Sequence, residues 1–188
     1  DLLIELDPTV SAADLARYRK DAAYYSLEIE RLLSERDGTA FIPSNPDYDP
    51  KDLDYQTRLK QSRENEYRVR RAAAESAVRE AEASLRSARI TLAKLKEQLV
   101  FNADKEKLFE RLVTEGGFSA VQLMDQRAKR MELEQNVATQ TSDIAKYESV
   151  LAQNLEKLAS VTAERERDIT SKLVEDRKLM QTAVEEVK

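Results

Sequence analysis

Apolar residues along most of this chain recur in alternating steps of three and four, the spacing of one face of a helix. Within 51–115 the seam reads Ala74, Val78, Ala81, Leu85, Ala88, Leu92, Leu95 and Leu99, and ends on Asn102. Within 119–187 it reads Ile144, Tyr147, Leu151, Leu158 and Val161, with Asn154 as its polar member. Its phase slips across 165–168 and resumes on Ile169, Leu173, Met180 and Val184, a shift that locally changes coiled-coil winding. A shorter seam precedes both: Leu15, Tyr18, Ala22, Tyr25, Ile29 and Leu32. The pattern predicts three α-helices, over 11–37, 51–115 and 119–187.

Glycine and proline mark the boundaries. Neither long stretch contains either residue, and both are rich in Ala, Glu, Lys, Arg and Leu, which suit helix interiors. Ser11 with Asp14 resembles a capping box, and Gly38 stands where a helix end wants a left-handed residue. The connector 38–50 holds Pro43, Pro46 and Pro50 and must be extended. Asp49 followed by Pro50 is an N-cap with proline at the first helical position. The segment RLVTEGGFSAVQLM (111–124) specifies a tight reversal. Gly116 and Gly117 end one helix, Ser119 and Gln122 box the start of the next, and Phe118 and Leu123 occupy staple positions. So short a turn forces an antiparallel hairpin. The opening DLLIELDPT differs: Leu2, Leu3, Ile4 and Leu6, closed by Asp7 and Pro8, predict a β-strand ending in a turn. A lone strand makes no sheet, so residues 1–9 are expected to be the remnant of a β-domain completed by chain outside these residues.

At 1.5 Å per residue each long helix spans roughly 95–100 Å and the first about 40 Å. The extended connector covers a distance similar to the first helix and can return beside it. The expected fold is all-α: a long antiparallel coiled-coil hairpin over 10–188, with the third, short helix at its base. Tyr18, Tyr24, Tyr25, Phe41, Tyr48, Tyr55 and Tyr67 fall in that base, where three helices leave a core wide enough for rings.

Composition narrows the function. The net charge is -5 and 36% of residues are charged, with no basic excess to favour nucleic acid or anionic lipid. There is no His and no Cys, which removes the commonest general base, thiol nucleophile and zinc ligands. Carboxylates are dispersed along helices, and no glycine-rich phosphate loop occurs. No catalytic, metal or cofactor residue is assigned, and a non-enzymatic role is expected, without nucleic acid or a small-molecule substrate. Phe101, Leu108 and Leu112 lie off the main seam and form a second apolar stripe, a candidate contact with a neighbouring subunit or another partner. Asn102 and Asn154 on the seams are expected to set coiled-coil register.

The segment LLIELDPT, followed by an amphipathic helix ending RLLSERDG, resembles the membrane fusion proteins, or periplasmic adaptors, of bacterial type I secretion, most closely the haemolysin-D type. The resemblance implies that residues 1–9 come from a lipoyl-like domain and that the hairpin serves a tripartite exporter. It implies a periplasmic protein anchored to the inner membrane by a segment outside these residues. Its partners are then an inner-membrane ABC transporter, a TolC-type outer-membrane channel and copies of itself, as a hexamer. The family's hairpin tip often shows Arg, three residues, Leu, six residues, Ser. Leu112 and Ser119 match its last two positions, while Leu108 replaces the Arg, with Lys107 and Arg111 beside it. The channel-binding tip expected from this is Leu108, Arg111, Leu112, Gly116, Gly117, Phe118 and Ser119. A multidrug-efflux adaptor of the same family and an unrelated structural coiled-coil tether are the alternatives.

Overall fold

The computed structural model describes residues 8–45 and 48–187, with side chains from Ala12 onward. Among the described residues there are three helices and no strand: α1 (Pro8–Asp37), α2 (Pro50–Thr114) and α3 (Ala120–Glu185). The all-α hairpin read from the sequence is the fold observed. The apolar run expected as a strand lies outside the described residues, but Pro8 and Thr9 are already helical. Helix α1 therefore starts ahead of the cap expected at Ser11, with Pro8 at its first position, where its missing N–H leaves nothing unpaired.

Local chemistry ends and starts the helices as expected. Gly38 takes φ 65° after α1, and the Thr39 amide donates to the Ser34 carbonyl at 3.0 Å. The Asp49 carboxylate accepts from the Lys51 amide at 2.9 Å, capping α2 ahead of Pro50.

Contacts divide the chain into two compact units, one running through Ala72 and taking up again at Ala159, the other Ala73–Leu158. The first is a three-helix unit. Ile29 and Leu32 of α1 pack with Ile169 and Leu173 of α3, flanked by Leu33 and Met180. Each such aliphatic side chain contributes about 1.5–3 kcal/mol when fully buried. Between Leu27 and Glu35, α1 buries seven residues, Leu27, Glu28, Ile29, Arg31, Leu32, Ser34 and Glu35, a far wider face than one seam supplies. Helices α2 and α3 and the connector all cover it. The connector runs antiparallel to α1: Ser44 donates its amide to Glu30 Oε2 at 2.9 Å, and the Tyr48 hydroxyl bonds Ser26 Oγ at 3.1 Å.

The middle of this unit is polar. Arg31 is 1% exposed, its Nε donating to Gln56 Oε1 at 2.5 Å and its Nη1 to Glu35. Gln56, itself fully buried, donates to the Tyr24 hydroxyl at 3.2 Å. Arg63 closes on the other Glu35 oxygen at 3.1 Å. Rings do not fill the space as expected. Tyr48 is buried, Tyr18, Tyr24, Tyr25, Phe41 and Tyr67 are half-buried, and Tyr55 is 56% exposed.

The phase slip of α3 belongs to this unit and has a local cause. Inward positions step four and four through Val161, Arg165 and Ile169 instead of three and four. Arg165 thereby reaches the end of α1, donating to the Glu35 carbonyl at 2.9 Å with its guanidinium 4.2 Å from the Tyr67 ring centre. Near the end of α3, Ala183 is buried while Val184 is 40% exposed, one position from the expected seam.

The second unit is an antiparallel pair. On α2, Ala74, Val78, Ala81, Leu85 and Ala88 are buried, and Leu92, Leu95, Leu99 and Asn102 are half-buried, as the pattern predicts. On α3, Ile144, Leu151, Asn154 and Leu158 face inward, but Tyr147 is 39% exposed, its ring too large for a seam opposite alanines. Three amides spaced two heptads apart cross the seam. Gln140 Nε2 donates to the Ala88 carbonyl and Asn154 Nδ2 to the Ala77 carbonyl, each at 3.2 Å, and Gln126 bonds Asn102. Opposite alanine, a long amide finds room to reach a backbone oxygen.

Candidate docking site at the helical turn

Helix α2 ends in a Schellman motif. The Gly117 amide donates to the Leu112 carbonyl at 2.9 Å and the Gly116 amide to the Val113 carbonyl at 3.1 Å. Gly116 carries φ 77°, a conformation that L side chains rarely adopt, whereas Gly117 does not need it. Helix α3 then opens on the expected capping box: Ser119 Oγ accepts from the Gln122 amide at 3.3 Å, and Gln122 Oε1 from the Ser119 amide at 3.1 Å. Phe118 packs on Phe109, ring centres 4.8 Å apart.

The expected tip residues separate into two sets. Leu108 (44% exposed), Arg111, Gly116, Gly117 and Ser119 are exposed at the turn. Leu112 and Phe118 are half-buried and help hold it. Of the second stripe, Phe101 is 68% exposed and Leu108 remains open, while Leu112 is partly covered by its own hairpin. The other side of the turn adds Val121 and Met124, each 66% exposed. Leu108 on α2 and Val121 and Met124 on α3 are thus uncovered within about two helical turns of the diglycine, while Phe101 lies about two turns further down α2.

Behind this surface lies a polar layer. Gln126, 2% exposed, donates to both the carbonyl and the side-chain oxygen of Asn102, at 3.1 and 3.0 Å. Asn102 in turn donates to the Gln98 carbonyl at 2.8 Å. Glu106, 8% exposed on α2, accepts from Arg130 Nε at 2.6 Å and pairs with Arg127 Nε at 3.3 Å. Arg127 also donates to Glu110 at 2.8 Å. The hydrogen bond to Glu110 raises the Arg127 pKa above its ordinary value, and the one to Glu106 raises that of Arg130. The turn is therefore held by oriented charge pairs as well as by its caps.

The family described as AprE, long alpha-helical hairpin, matches residues 11–188. The chain belongs to this family. Among solved structures, the soluble domain of LipC, a membrane fusion protein of a type I secretion system, matches with a TM-score of 0.84. The match covers 100% of this chain and 92% of that one at 16% identity, a likeness of fold. No curated protein matches the chain.

Some features of this AprE-type hairpin escaped the sequence reading. The seam pattern reaches Asn102 but does not single out Glu106, Gln126, Arg127 or Arg130. Their signal was present: Glu106 and Phe109 continue the three-and-four stepping after Asn102. A carboxylate at a seam position implies a cation across from it. Among the described residues, no cluster of three or more acidic residues could hold a metal, and no helix is long and apolar enough to cross a membrane.

Proposed function

We propose that this chain is the hairpin region of a periplasmic adaptor of type I secretion, with no catalytic step of its own. It bridges an inner-membrane ABC transporter and a TolC-type outer-membrane channel through the turn at Gly116 and Gly117. The observation that carries the reading is the set of open apolar side chains Leu108, Val121 and Met124 flanking a capped turn in an AprE-type hairpin. Such a surface favours a protein partner, and the turn's fixed geometry presents it with little ordering cost. The likeness to the LipC soluble domain supports the same assignment. The protein sits in the periplasm, anchored to the inner membrane by a segment outside these residues, and the transporter supplies the energy.

The adaptor acts as a ring of copies, six by family resemblance. Ala138, Ala145 and Ala152 recur at heptad spacing on α3 and are all exposed. Small side chains allow a neighbouring helix to approach closely.

The full-length gene, returned to a strain lacking it, is expected to restore export of a polypeptide cargo. Leu108→Asp with Met124→Asp, both at exposed positions, should abolish export while far-ultraviolet dichroism of the purified chain keeps its helical content. Export at the original level by this double variant contradicts the docking assignment. Restored drug efflux without polypeptide export points to the other branch of adaptors.

A further inference from the structure

In the α2–α3 pair, the two helices carry opposite charge at the same height. From 83 to 96, α2 holds Arg86, Arg89, Lys94 and Lys96 and no carboxylate. From 131 to 145, α3 holds Glu132, Glu134 and Asp143 and no cation. The bonds from Gln140 to the Ala88 carbonyl and from Gln126 to the Asn102 carbonyl set these stretches side by side. The hairpin itself makes little use of the match. Arg89 crosses to Glu148 at 2.8 Å, beyond the acidic stretch. Glu134 pairs with Arg130, and Asp143 with Lys146 at 2.9 Å, each on its own helix. Arg86, Lys94, Lys96 and Glu132 are exposed and have no ion-pair partner among the described residues.

Apolar side chains accompany both stretches and differ in size. Ile90 is 65% exposed and lines an open groove with Leu85, Arg86, Arg89 and Ala93, closed on the far side by Leu151 of α3. Beside the acidic residues of α3 the exposed apolar positions are small, Ala138 and Ala145, one heptad apart. An isoleucine set against alanines lets two helices approach without leaving a void.

We propose that the basic stretch of α2 receives the acidic stretch of α3 from a second copy of the chain, the two hairpins standing side by side in the same orientation without stagger. This pairing rests on the reading of the chain as one of a ring of copies, and it names the surfaces that meet. A copy moved sideways brings its α3 to the neighbour's α2 at unchanged height. Asp143 then comes level with Arg86, and Glu134 and Glu132 with Lys94 and Lys96. A two-fold arrangement at the same height would set α2 on α2 or α3 on α3, like charge on like. The two surfaces differ, and a lateral contact that does not climb can close a ring rather than grow a filament. Exposed ion pairs add little affinity one by one. They select partner and height, while Ile90 and Ala93 against Ala138 and Ala145 supply the apolar area removed from water.

Thiol linking between two differently tagged copies of the full-length protein, made together in cells, tests this. One copy carries Ile90→Cys and the other Ala138→Cys, and a short bifunctional thiol reagent is added. A mixed-tag product is expected, whereas two copies that both carry Ile90→Cys should not link. Adding Lys94→Glu and Lys96→Glu to the first copy should lower the mixed product about tenfold, because like charges then face one another. Adding Glu132→Lys and Glu134→Lys to the second copy as well should restore it. Absence of the mixed product, a product indifferent to the first reversal, or a loss that the second reversal does not recover overturns the pairing. So does linkage between two Ile90→Cys copies, which marks an isologous contact, or linkage of Ile90→Cys to a different protein in place of the second copy. Export by the same cells, measured without reagent, separates this pairing from the adaptor reading. Charge-dependent linkage without export supports the pairing and tells against the adaptor reading alone, and export without linkage overturns the pairing alone.

Discussion

Arg31 makes the clearest single contribution to the three-helix unit. It ties α1 to α2 through Gln56 and neutralises Glu35, whose second oxygen Arg63 holds. Removing one partner of a buried charge pair leaves the other uncompensated. Arg31→Ala should therefore cost about 3–5 kcal/mol, read as a lower denaturant midpoint. Arg31→Lys should recover only part of it, because one ammonium cannot reproduce the fork that serves Glu35, Gln56 and Glu28 together. Sequence alone could not show this. Charged helix residues are seldom fully buried, and Arg31 falls between the seam residues Ile29 and Leu32. Its burial follows from two helices and a connector meeting on one face of α1. Leu27 and Gln56 were hidden for the same reason. Tyr55 erred the other way, since membership of the unit says nothing about which face a ring takes.

Among the elements, the α2–α3 pair was the most legible. From Ala74 to Leu99 the inward residues of α2 are small or aliphatic and repeat without a gap, so pattern and burial coincide. Legibility fell where polar groups took seam positions, at Glu106, Gln126 and Gln140. The crossing amides specify one register. The chain has no cysteine, so introduced pairs give a clean test. Asn102→Cys with Gln126→Cys should link rapidly through a short bifunctional thiol reagent. Asn102→Cys with Met131→Cys, whose α3 member faces outward, should not. The turn permits a sharper contrast. Gly116→Ala should cost about 1–2 kcal/mol, because alanine is strained at φ 77°. Gly117→Ala should change stability by no more than about 0.5 kcal/mol, since an added Cβ meets only the Leu112 carbonyl at an ordinary 3.6 Å. Thermal melts of the two variants decide between them, and equal losses would contradict the assigned motif.

At the scale of the whole molecule, the chain joins two kinds of core. One unit is broad and polar at its centre, the other a narrow seam of alanine, leucine and amides. Among the described residues, neither gathers three or more acidic side chains that could hold a metal ion. The concavity beside Tyr67 is lined by Glu35, Arg63 and Arg165, which are already paired with one another or stacked on the ring. Uncovered apolar side chains occur in both units, from Ile42 and Val69 to Ile90 and Val174, and those nearest the turn are Leu108, Val121 and Met124. Helix number, helix order and the turn were legible because glycine and proline punctuate the chain so sparsely. The uncovered apolar residues near the turn were legible only in part. Leu108 and Phe101 stood out as off-seam apolar residues, but the exposure of Val121 and Met124 depends on how α3 leaves its cap.

The most direct test is site-specific photo-cross-linking in cells that carry the complete exporter. A photoreactive amino acid at Leu108 or Met124 of the full-length protein is expected to capture the outer-membrane channel. The same residue at Ile42, exposed on the connector of the three-helix unit, should not. Capture of the channel from Ile42 with none from Leu108 or Met124 would contradict the proposed role of the turn.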